Sequence, residues 1–169
     1  PGENGNIYPA TILEVNGQEV GVFGLTTEET SILANPGKDI AFENYIEKAE
    51  ETVEMLENAG INKVIALTHI GYNYDKVLAE EVDGIDVIVG GHSHTLLEEP
   101  TVNNKDAEPT IILSAQEYSY FLGNAEVTFD KNGVLQSWDQ NLIDLDAQDE
   151  NGNYLIEENV AAAERLAEL

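Results

Sequence analysis

"KVIALTHIGYNYDKVLAEEVDGIDVIVGG", residues 63–91, decides the fold. Its two ends, "VIAL" and "DVIV", are short apolar runs rich in β-branched residues, the pattern of strands buried on both faces. Between them "YDKVLAEEVDG" reads as a crossover helix, so the stretch predicts a βαβ unit with parallel neighbouring strands at 63–68 and 86–90. Working outward, "ATILEVNGQEVGVFGLT" gives two alternating runs joined by Asn16-Gly17, a hairpin signal, with strands at about 10–15 and 18–25. Ile46, Ala49, Val53 and Leu56 recur at helical spacing before Gly60, predicting a helix over about 41–59. Downstream, "TIILSAQEY", "FLGNAEVTFDKNGVL" and "QSWDQNLIDL" are strand-like, with a turn at Lys131-Asn132-Gly133. The class is α/β with a mixed sheet.

The 169 residues suffice for one core, and 42% hydrophobic content is ordinary for a globular protein. With 33 acidic against 7 basic residues the net charge is −26, which repels nucleic acid and anionic membrane surfaces. No cysteine is present, so disulfides and thiolate chemistry are excluded. No window approaches the ~18 consecutive apolar residues of a membrane span, and no basic-then-apolar leader opens the chain. A start at Pro1 and a helix-prone tail, "IEENVAAAERLAEL", with no capping residue lead to the expectation of a piece of a longer chain.

The chain's three histidines are His69, His92 and His94. In a parallel α/β sheet, sites form outside the carboxyl ends of the strands. His69 follows "VIAL" after Thr68, and His92 and His94 follow "DVIV", so all three are expected on one sheet edge. Residues two apart in an extended segment share a side, so His92 and His94 are expected to converge while Ser93 faces away. Gly90 and Gly91 clear side chains where the backbone must turn or approach a ligand. Neutral imidazoles so placed suit a transition metal. Ser93 and Ser114 lack a nucleophile-elbow context and a free histidine base, which disfavours a serine hydrolase. Tyr118 and Tyr120 read as packing or pocket-wall residues, and Glu98 and Glu99 as solvated.

These motifs carry a resemblance. "GIDVIVGGHSHT", with "VIALTHIGYNYDKVLAEEVDGIDVI" before it and "ILSAQEYSYFLGNAEVTFDKNG" after it, resembles the second half of the metal-binding domain of the 5′-nucleotidase family, among the calcineurin-like metallophosphoesterases. "EVNGQEVGVFGLTTEET" extends the match to about residues 8–145. The resemblance implies part of a four-layer α/β/β/α sandwich. Residues 1–150 would be the C-terminal half of that domain, and 151–169 the start of an interdomain helix or linker. It also implies two divalent metal ions, with zinc, manganese, iron, nickel, cobalt, magnesium and calcium left undistinguished. His69 and His92 match ligands of one metal, and His94 matches a position that binds the other, where some members carry a different polar ligand.

The implied activity is hydrolysis of nucleotide phosphate monoesters by a metal-activated water. Implied partners are a nucleotide or other phosphate-ester substrate, the N-terminal half of the domain and a C-terminal substrate-recognising domain. An extracellular, cell-wall-associated or periplasmic location is implied as well. The family's Asp-x-His, Gly-Asp and Asn-His-Glu or Asn-His-Asp motifs, which bring carboxylates and the catalytic histidine, cannot be in this chain, because its histidines are already assigned. No catalytic residue is therefore expected here, and the isolated chain is expected to be inactive.

Asp75, Asn73, and Gln116 or Glu117 are weaker candidates for contact with substrate or with the ligands. Asp75 is either a ligand or a helix-start carboxylate. Asn73 either caps the helix or touches the site. Gln116 or Glu117 reaches the ligands from behind. Asp86 should lie at the opposite end of its strand. A half domain would leave a sheet edge or face exposed, so self-association is expected. The alternative reading is a non-catalytic metal- or ligand-binding α/β module.

Overall fold

The computed structural model describes residues 7–105 and 108–168. Asn16 and Gly17 turn the chain with φ of 52° and 75°. Asn and Gly tolerate this left-handed backbone, which suits the twist of a two-residue hairpin. They join strands β1 (Ala10–Val15) and β2 (Gln18–Thr26). A single helical turn, α1 (Thr30–Leu33), follows and was not expected from the sequence.

Helix α2 (Tyr45–Asn58) starts about four residues later than its apolar spacing implied, because the Asn44 side chain accepts from the amides of Ile46 and Glu47 and fixes the first turn there. Its end is closed as expected by Gly60, at φ 88°. The Ile61 amide bonds back to Leu56 O and the Gly60 amide to Glu57 O.

The deciding stretch folds as read, into β3 (Val64–His69), α3 (Tyr72–Glu81) and β4 (Val87–Val89), with the two strands parallel. Strand β5 (Thr101–Lys105) was missed, being polar and following Pro100. After it come β6 (Glu108–Leu113), β7 (Phe121–Phe129), β8 (Leu135–Asp144) and α4 (Val160–Ala167). None of the α4 residues is buried. No helix among the described residues is long and apolar enough to cross a membrane.

The main sheet runs β1-β2-β3-β4-β6-β5, and β7-β8 form a separate two-stranded sheet. Pairs β2–β3, β3–β4 and β4–β6 are parallel, whereas both edge pairs are antiparallel, which makes the sheet mixed. On one face α2 and α3 bury Phe23, Ala49, Val53, Leu56, Ala66, Leu78 and Ile88. On the other, Val87 and Ile111 pack with Leu135, flanked by Val127, Phe129 and Trp138 from the β7-β8 sheet.

The described layers are therefore helix, sheet and a second small sheet. The expectation that the central strands are buried on both faces needs correction. Leu67 is 49% and Val89 39% exposed on the face away from the helices, because the β7-β8 sheet does not reach that far across.

Candidate metal centre

Strand β3 ends on His69, whose carbonyl accepts from Thr27 N in the loop after β2. His92 lies three residues beyond β4. The parallel register, with Leu67 opposite Val89, brings these strand ends side by side. The His69 and His92 rings meet edge to face, with centroids 5.1 Å apart and planes at 66°. A side chain at Gly91 would crowd them: a Cβ there would lie 3.1 Å from His69 Nδ1 and 3.4 Å from Thr68 O. The sheet thus gathers two of the three histidines at the carboxyl edge, as parallel topology demands.

The geometry inferred for the third does not hold. His92 and His94 have φ of 77° and 53°, so the backbone curls through left-handed conformations on either side of Ser93 instead of running extended, and the two imidazoles do not follow strand alternation. The curl is pinned by Ser93, whose Oγ accepts from Tyr72 N at 2.9 Å and pairs with Thr95 Oγ1 at 2.9 Å. In consequence the two imidazoles have different neighbours. His92 Nε2 lies 3.2 Å from Glu29 Oε2. His94 Nδ1 lies 2.5 Å from Glu117 Oε2, with the Tyr118 ring 6.1 Å away.

Asn73 neither caps α3 nor is buried. Gly71 occupies the cap position, at φ 98°, and Asn73 is an exposed residue of the first turn. Asp75, in contrast, is not a solvated helix-start carboxylate. It is 1% exposed and accepts from Thr68 Oγ1 at 2.6 Å. Burial pushes its carboxyl up to about 6, against the lowering by that hydrogen bond.

Gln116 is exposed, with φ 66°, and its amide donates to Thr95 O. Its neighbour Glu117 is the residue that reaches a histidine. Asp86 lies at the opposite end of the sheet, where it accepts from Val64 N at 2.7 Å. Glu29 was overlooked. The signal for it was the parallel pairing of β2 with β3, which puts the loop after Thr26 on the same edge as His69.

The donor chemistry fits a share of a metal site. Neutral imidazoles are good transition-metal donors, and His69 and His92 already stand together. However, no group of three or more His, Cys, Asp or Glu side chains that could hold a metal is gathered among the described residues. The carboxylates standing nearest the imidazoles are Glu29, beside His92, and Glu117, beside His94.

No protein-family model matches the chain. The chain is 50% identical over 137 residues to the trifunctional nucleotide phosphoesterase protein YfkN of Bacillus subtilis strain 168, a match covering 80% of this chain and 9% of that protein. It is 38% identical over 146 residues to the 5′-nucleotidase of Diplobatis ommata, covering 78% of this chain and 25% of that one. The crystal structure of a 5′-nucleotidase precursor from Thermus thermophilus superposes with a TM-score of 0.78 at 36% identity, over 80% of this chain and 29% of that chain. The chain spans between about a tenth and a quarter of the length of these curated relatives. In sequence and in fold, over the greater part of its length, it belongs to the 5′-nucleotidase family and corresponds to a segment of that family's longer members.

Proposed function

We propose that residues 1–150 are the C-terminal half of a metallophosphoesterase domain, within a larger enzyme that hydrolyses phosphate monoesters of nucleotides. Residues 151–169 begin the connection to a further, substrate-recognising domain. The observation that carries this reading is the meeting of the His69 and His92 rings at the carboxyl ends of two parallel strands. The open half of the main sheet face supports it too. A cleft of about 500 Å³ beside it, between the main sheet and the β7-β8 sheet and lined by residues including Ile65, Val89, Leu113, Leu122 and Leu142, is the kind of apolar surface that the rest of a domain would cover.

His69 and His92 would hold one divalent ion and His94 the other, together with carboxylates from the preceding half. When bound, the ions supply activation of a water for in-line attack at phosphorus and neutralise phosphoryl charge. The chain's own acids orient the imidazoles. A proton on His94 Nδ1 directed at Glu117 leaves Nε2 free to donate, and one on His92 Nε2 directed at Glu29 leaves Nδ1 free. An extracellular, cell-wall or periplasmic location is part of the same proposal. So is self-association of the isolated chain through its open sheet face.

The test is phosphate release from a nucleoside 5′-monophosphate by the full-length protein with added divalent metal. His69→Ala and His92→Ala are each expected to cut the rate by more than the roughly 100-fold at the upper end for residues behind the ligands. Undiminished hydrolysis by both variants would sink the reading. Metal-dependent turnover by the 169 residues alone would refute their incompleteness, and binding of metal without turnover by the full-length protein would favour a non-catalytic module.

A further inference from the structure

We propose that Asp75 is a positioning residue for the histidine pair: its carboxylate, held between Thr68 and Gly90, sets the separation of the strand ends that carry His69 and His92. The inference rests on the reading of those histidines as metal donors.

The β3–β4 register stops at Leu67 opposite Val89. Beyond it, no backbone pairing of the two strands holds the segments that bear the histidines. Asp75 spans that gap from the helix layer. Its Oδ1 accepts from Thr68 Oγ1 at 2.6 Å, one residue before His69. The same hydroxyl stands 3.5 Å from Val89 O, so it is already drawn toward β4.

The other carboxylate oxygen fills the room left by the missing side chain of Gly90, two residues before His92. A Cβ there would overlap Asp75 Oδ2 and lie 3.3 Å from its Cγ. The Gly90 amide, bonded to Leu113 O at 2.8 Å, fixes the far side of the contact. A buried carboxylate is a costly wedge, since desolvation disfavours its charge. An apolar residue of like size would pack on Gly90 without placing Thr68. The hydrogen bond is what makes the wedge directional.

The experiment uses the full-length protein, titrated calorimetrically with manganese or zinc, in wild type, Thr68→Val, Thr68→Ser, Asp75→Ala and His92→Ala. Thr68→Val keeps the volume and removes the hydroxyl, so it carries the test even if Asp75→Ala fails to fold. Thr68→Val and Asp75→Ala are expected to weaken metal binding about 10- to 100-fold, and Thr68→Ser to return it to the wild-type value. Wild-type affinity in folded Thr68→Val overturns the proposal.

If His92→Ala also binds metal unchanged, the donor reading is what fails. The positioning claim is then decided on metal-free protein, by the nuclear Overhauser contact between the His69 and His92 rings. Loss of that contact in Thr68→Val and its return in Thr68→Ser support the claim. Its persistence in Thr68→Val refutes it.

Discussion

One face of the main sheet is covered by the β7-β8 sheet at Val87 of β4 and Ile111 of β6, and open over β1 and the carboxyl ends of β3 and β4. In the finished part Val87 and Ile111 lie buried beneath Leu135, with Phe129 and Trp138 alongside. In the open part Leu13, Val15 and Leu67 are 48%, 49% and 49% exposed. The strand register puts them on the same side of the sheet, since Leu13 pairs with Val20 and Leu67 lies opposite Gly24. Both parts are built of the same residue types, so composition does not distinguish them. The difference is the reach of one two-stranded sheet. His69 emerges from the strand at the border, which places the candidate centre where an added layer would meet this one.

The largest test of that contrast is a pair of truncations followed by urea unfolding of the chain. Ile111→Ala should cost about 2–5 kcal/mol, because it empties a closed core. Leu67→Ala should stay within roughly 1 kcal/mol, because half of that side chain is already in water. Equal losses would erase the distinction.

A second test asks whether closure alone sets stability. Asp86, at the amino end of β4, has its carboxyl pushed up to about 7 by burial, against the Val64 amide and Lys63, with Glu108 adding repulsion. A carboxyl whose folded value lies above its unfolded value near 4 destabilises the fold once ionised. The penalty is absent below about pH 4, grows as pH rises, and is complete above about pH 7. Asp86→Asn keeps an acceptor for Val64 N. It should therefore stabilise by on the order of a few kcal/mol at pH 8, with the gain vanishing toward pH 4 in thermal melts.

The smallest effect belongs to the helix layer. Asn44→Ala should cost about 1 kcal/mol by removing the α2 cap, measured by chemical denaturation. A much larger loss would mean that α2 is held chiefly at its first turn.

The βαβ unit, the hairpin and the end of α2 were legible because each is dictated locally: β-branched runs, an Asn-Gly pair, a glycine at a left-handed position. The start of α2 was blurred because apolar spacing continues past a cap, and only Asn44 marks the boundary. β5 was hidden because "TVNNK" is paired through its backbone to β6 and carries little apolar signal. At the candidate centre, topology placed His69 and His92 correctly on one edge. The paths of His92 and His94 were not legible, since an extended run and a left-handed curl look alike in "GGHSHT". Asp75 was undervalued for a related reason. Its burial comes from the vacancy at Gly90, fifteen residues away in sequence, and no periodicity reports such a contact.

The left-handed backbone at residues 92 and 94 also acts as a filter on what can stand there. For most L-residues that conformation costs roughly 1–2 kcal/mol, and β-branched side chains fare worst, while Asn, Asp and Gly enter it readily. Position 94 can therefore trade its imidazole for a short carboxamide or carboxylate without reshaping the curl that Ser93 anchors. Threonine or valine would have to unwind it. On the proposed metal reading, the loop thus supports a small vocabulary of donor atoms, and retuning toward a harder or softer ion is a single-residue change rather than a redesign.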